Sequence, residues 1–127
     1  MTRKLLIACV AAAVTAALLA STAQASCIRS SPTEQRARAS VIFDGVALDG
    51  PTRTGVQRFR VTRYLKGSGP GIVRVNTGYI RRPDGTVTLT SVSLTVKRNE
   101  RWRIFGRGSA KLILQSNACD GSRRLPR

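Results

Sequence analysis

The stretch VQRFRVTRYL, residues 56–65, decides the class of this chain. Phe59, Val61 and Leu65 fall on one phase of a two-residue repeat; Arg58, Arg60, Thr62 and Tyr64 fall on the other. A period of two is the pattern of a strand with one face in a core and the other in water. From Arg58 onward, Arg63 is the exception to this alternation. The run ends in Lys66-Gly67-Ser68-Gly69-Pro70-Gly71, which is loop by composition.

The same pattern recurs on both sides. Upstream, Val41, Ile42 and Phe43 lead into Val46 and Leu48, and Asp49-Gly50-Pro51 turns the chain. Gly45 inside that run predicts a bulge or sharp bend. Downstream, a strand is expected over 72–80, turned back at Pro83-Asp84-Gly85. Val87 and Leu89 keep one phase while Val92, Leu94 and Val96 keep the other, so the strand slips or breaks near Ser91. A polar turn over 97–101 precedes Trp102, Ile104 and Phe105, and a last strand begins at Leu112. One short helix is expected before all of this. Ser31 caps it, Pro32 suits its first position, and Glu34 stands where a capping box needs it. It ends by Ala39. Many short strands, Gly/Pro turns and one helix imply an all-β chain with a short N-terminal helix, built as a small antiparallel barrel or sandwich.

The front of the chain has a different character. Thr2, Arg3 and Lys4 precede an uncharged run from Leu5 to Ala20, and Ala23-Gln24-Ala25 closes it. This is the form of a secretory signal peptide, expected over 1–25, with a retained membrane anchor as the alternative. Cleavage leaves 127 − 25 = 102 residues, one domain over 26–127 with a mobile tail from about 120. Cleavage removes Cys9 and leaves Cys27 and Cys119. In an oxidising compartment two remaining cysteines pair by default. A lipid anchor on Cys27 is the competing reading, disfavoured because Gln24 stands where a lipoprotein signal needs an aliphatic residue. Extracellular space or cell envelope is the expected location, with no transmembrane segment after processing.

Charge narrows the partners. The chain carries 22 Lys+Arg against 6 Asp+Glu. Without Arg3 and Lys4 the balance is 20 − 6 = +14. Such a field attracts polyanions, although a solvated basic surface is the plainer account. The densest group is Lys97, Arg98, Arg101 and Arg103, which Arg58 and Arg60 extend if a barrel closes. The expected ligand is an extracellular protein or an anionic envelope polymer. Export argues against nucleic acid as the primary partner.

Catalysis has little to stand on. The chain has no histidine, so Cys27 has no imidazole to activate it and no metal-ligand cluster forms around the two cysteines. Asp49, Asp84 and Asp120 sit in turn signals, Glu34 reads as a cap, and Glu100 has arginines on both sides of its turn. No serine lies in a nucleophile motif. The expectation is a non-enzyme without metal or cofactor.

The order of RARASVIFDGVALDG, FRVTRYLKG, VRVNTG, ERWRIF and LILQSNACDGS resembles bacterial relatives of the tissue inhibitors of metalloproteinases, in the netrin-like group. The resemblance covers nearly all of 26–127 and implies an OB-type barrel and a binding or vestigial inhibitory role. The family pattern opens with C-x-C. Its first cysteine is the chain end that chelates a protease zinc and pairs with a mid-domain cysteine; its second pairs with one after the last strand. By this pattern Cys27 matches the second and Cys119 its partner, which implies a Cys27–Cys119 disulfide. The first position holds Ala25, and residues 77–104 contain no cysteine, so the other bridge and the zinc-chelating cysteine are both missing.

Overall fold

The computed structural model describes Cys27 and residues 30–127; the signal peptide read over 1–25 lies outside the described residues. The helix forms with the Ser31 half of the expected capping box but not the Glu34 half. Helix α1 spans Pro32–Arg38, and the Ser31 hydroxyl accepts a hydrogen bond from the Glu34 N–H at 3.1 Å. Glu34 itself reaches forward to Arg38 at 3.3 Å, one turn on.

Eight strands follow: β1 (Val41–Ala47), β2 (Val56–Lys66), β3 (Ile72–Asn76), β4 (Ile80–Arg81), β5 (Val87–Thr88), β6 (Arg101–Gly106), β7 (Ile113–Gln115) and β8 (Arg123–Arg124). Six of them make one curled sheet, a half-barrel, in the order β7-β3-β2-β1-β6-β8; β4 and β5 make a separate hairpin. The β3–β7 pair is parallel, so the sheet is mixed where the sequence predicts antiparallel pairing alone. Arg107, just past β6, pairs with Gln115 of β7 through two 2.9 Å backbone hydrogen bonds. That bridge joins strands from opposite sides of the curl.

Inward residues of the curl make the core. Phe43 and Phe59 are fully buried with ring centroids 5.9 Å apart, and Val73, Val75, Ile104 and Leu114 complete the centre. Each fully buried side chain of this size stabilises by about 1.5–3 kcal/mol. Trp102 packs at the margin of this cluster. A smaller cluster of Ala39, Ile42, Phe105 and Leu65 lies on the outer side, at the end of the sheet where α1 joins β1.

Two irregularities of register set which β2 residues face out. Between Asp44 and Gly45 the partner jumps from Arg63 to Val61, and between Ile42 and Phe43 from Lys66 to Tyr64. Thr62 and Leu65 are the extra residues, and each restarts the alternation. The sequence expectation for this end of β2 is corrected accordingly. Tyr64 turns inward beside Phe43, with its hydroxyl donating to the Pro70 carbonyl at 2.6 Å, and Leu65 turns outward to the small cluster. Gly45 makes the bulge possible. A methyl group there would sit 2.8 Å from the Arg60 carbonyl oxygen.

Three other expectations change. The strand over 72–80 breaks at Gly78, whose φ of 74° and Asn76 side-chain contact turn the chain before β4. The strand breaks near Ser91, one of the two expected outcomes, at a turn in which the Ser93 N–H donates to the Thr90 carbonyl at 3.2 Å, but Val92, Leu94 and Val96 beyond it lie in no strand. The tail is paired. Ser122 donates or accepts within a buried Ser116–Ser122 contact of 2.6 Å, β8 pairs with β6, and the Leu125 N–H donates to the Arg101 carbonyl at 2.8 Å. Backbone pairing on an otherwise open β6 edge holds a segment whose composition alone suggests mobility.

The Cys27–Cys119 disulfide is present, with Cα atoms 5.3 Å apart across 92 residues of sequence. Cys119 sits in a short 3-10 turn, Ala118–Asp120, capped reciprocally by Asn117 and Asp120. Closing a loop of this length stabilises by about 4–5 kcal/mol on the chain-entropy account.

Candidate functional site

The pleat sends Asp44 and Val46 of β1, Arg58, Arg60 and Arg63 of β2, and Arg101 and Arg103 of β6 to the outer face. Register groups them in rows across the strands. One row reads Arg103, Asp44, Arg63; the next reads Arg101, Val46, Arg60, Ile72. A third continues from Leu48, bonded to the Arg58 carbonyl, through Arg58 and Arg74 to Ile113.

The first row is a closed ion cluster. Asp44 is buried; Arg103 donates to its two oxygens at 2.7 and 2.9 Å, and Arg63 donates at 3.0 Å. The Arg103 hydrogen bonds hold the Asp44 carboxyl below the usual carboxylate range, against the opposing pull of burial, with Arg63 adding to the lowering. Arg103, named by sequence as part of a basic cluster, is therefore a partner of Asp44, and its side chain is only 20% exposed.

Arg58 is also committed. Its Nε and Nη2 reach the two oxygens of Asp49 at 2.9 Å each, a bidentate geometry, and these bonds lower the Asp49 carboxyl. Arg60 and Arg101 form no ion pair among the described residues and flank Val46 from either side. Lys97 and Arg98 sit on the rim. Their turn is held by the Lys97 N–H on Glu100 at 2.7 Å and by Asn99, whose φ is 70° and whose N–H donates to the Ala47 carbonyl. The six sequence-named cations thus lie on or beside one face, but among the described residues only Arg60, Lys97 and Arg101 are free of an acidic partner, since Arg98 is close enough to Asp49 to help lower its carboxyl.

Sequence reading misses Arg74, Ile72 and Ile113 in this face. Ile72 and Arg74 share a phase of β3, a signal present in IVRVN but outweighed there by the denser arginine run. It also misses Asp44 as the hub of an ion cluster, although a carboxylate inside VIFDGVA demands a buried cation.

The remaining carboxylates are accounted for. Glu100 binds Arg124 at 2.9 Å, and Asp120 binds Arg107 at 3.4 Å. Asp84 accepts from the Thr86 backbone and hydroxyl at 2.9 and 2.7 Å within its turn. Among the described residues no three His, Cys, Asp or Glu side chains gather to hold a metal. No described helix is long and apolar enough to cross a membrane. Searches of family models, of curated proteins and of solved structures each return no match to this chain.

Proposed function

We propose that this chain is an exported, non-enzymatic binding module of the netrin-like, OB-type class, which engages an extracellular protein. The OB-type reading is supported by the strand order, by the parallel β3–β7 pair and by the Arg107–Gln115 bridge, which together trace a five-strand ring of β1, β2, β3, β7 and β6. The disulfide supports an oxidising compartment.

One observation carries the binding reading. All six carboxylates are held in ion pairs or turns, while among the described residues Arg60, Arg74 and Arg101 remain without an acidic partner on one open sheet face. An arrangement of this kind has no acid–base pair for catalysis and a surplus of donors for a ligand. The family resemblance implies protein binding without zinc chelation, because the chelating position holds Ala25. The surplus of cations favours a second reading, an anionic envelope polymer.

Retention on the immobilised mature protein separates these. It is challenged with cell-envelope extract and culture supernatant of the producing cell, then eluted with a salt gradient. A protein that stays bound at high salt supports the proposal. A polymer released at moderate salt supports the second reading, since each neutralised phosphate adds to the salt slope. If neither is retained, the chain is not a binding module of this kind.

A further inference from the structure

The open part of the outer face has more character than a basic patch. Arg101, Val46, Arg60 and Ile72 follow one another across four strands, and Arg58, Arg74 and Ile113 follow in the next row. Cations and aliphatic side chains therefore alternate along the first row, and the second sets a pair of arginines beside Ile113. Ile72 is 53% exposed and Ile113 37%, on strands whose inward residues are fully buried. The small apolar cluster near α1 lies at the other end of the face, built on Ile42, Phe105 and Leu65.

We infer that these two rows form a docking surface for a protein whose own surface interleaves carboxylates with aliphatic side chains; this rests on the binding-module reading above. Strand spacing of about 4.8 Å puts the Arg101 and Arg60 positions roughly 10 Å apart, with Val46 between them. A complementary partner places two carboxylates at that separation and an aliphatic group over Val46. Arg58 contributes differently. Its charge is already met by Asp49, so it stands as a rigid, neutralised platform beside Arg74.

A phosphate or sulfate polymer fits this face less well. Its backbone meets cations but has no counterpart for Ile72 and Ile113. Base stacking needs an aromatic on the binding face; these two rows carry none, and Tyr64 of β2 points into the core. The large hydrophobic side chains exposed among the described residues are Ile72, Val87, Leu89, Leu112 and Ile113, all aliphatic. Arginine set among apolar groups is instead the composition of protein-interface centres.

Two synthetic peptides of equal length and charge test this, one alternating Glu with Leu and one alternating Glu with Ser. Binding is read by fluorescence anisotropy on the full mature protein and on variants with unchanged circular dichroism and melting. The wild type binds the Glu/Leu peptide about tenfold more tightly than the Glu/Ser peptide. The variant R60E/R101E loses more than about tenfold in affinity, whereas R81E/R82E, the same charge change on the β4–β5 hairpin, loses less than about threefold. The variant I72S/I113S abolishes the preference for Leu and leaves Glu/Ser binding unchanged. Equal affinity of the wild type for both peptides overturns the inference in favour of a charge-only polyanion surface. Equal losses in the two charge variants overturn it in favour of a diffuse field, and binding of neither peptide at low salt overturns it outright. Retention of an envelope or supernatant protein that survives in R60E/R101E also overturns this site, while leaving the binding-module reading in place.

Discussion

Asp44 is the residue on which the outer face is organised. It is a buried carboxylate with two arginines, and its hydrogen bonds from Arg103 hold its pKa below the unfolded value of about 4. The stabilisation this represents is fully present above that unfolded value and is lost as pH falls through the lower, folded one. Asp49, lowered by Arg58, acts in the same direction. Chemical denaturation should therefore show a stability plateau above about pH 5 and a decline below about pH 4. The variant D44N should lose about 1–3 kcal/mol at neutral pH, less than a fully buried pair costs because Arg63 is mostly exposed and regains water. Its decline in acid should also be shallower than that of the wild type. An unchanged acid limb in D44N would mean that other carboxylates set the pH dependence.

At the level of elements, β8 is the least legible strand and the most easily tested. Its sequence, Arg123-Arg124 followed by Leu125 and Pro126, has no alternation and no β-branched residue. What holds it is the free edge of β6: Trp102 faces Arg124, Arg103 faces Arg123, and Arg124 reaches Glu100. Deleting 123–127 should lower stability by about 1–2 kcal/mol, the scale of a few net hydrogen bonds. It should also shift Trp102 emission to the red as the indole loses its neighbour. Unchanged stability and emission would return this segment to the mobile tail that its composition suggests. The contrast with β1 and β2 is physical. The alternation of β2 over 58–61 exposes the core face directly, and Gly45 announces the bulge of β1, although apolar residues on both phases of 41–48 leave its inward face unnamed. The second half of β2 is not legible, because the extra residues Thr62 and Leu65 are defined only by the partner strand. The parallel β3–β7 pair is hidden for the same reason, since no local pattern in Ile113–Gln115 names its neighbour.

For the molecule as a whole, the short N-terminal helix, the all-β class and the pairing of Cys27 with Cys119 follow from local signals and from cysteine count. The proposed binding face is legible only in part. Arginine density points to Arg58, Arg60, Arg98 and Arg101, but which cations are spent on carboxylates depends on register: Arg103 goes to Asp44 and Arg58 to Asp49. Register also supplies Ile72, Arg74 and Ile113, which turn a field of charge into a patterned surface. On the proposal above, this surface, and not the charge of the whole chain, carries binding. Backbone amide NMR shifts on titration with the Glu/Leu peptide test it most directly. Perturbations should concentrate at Val46, Arg58, Arg60, Ile72, Arg74 and Arg101, with Arg81, Arg82 and Val87 of the hairpin unmoved. Shifts spread evenly over all basic residues, or centred on the hairpin, would contradict it.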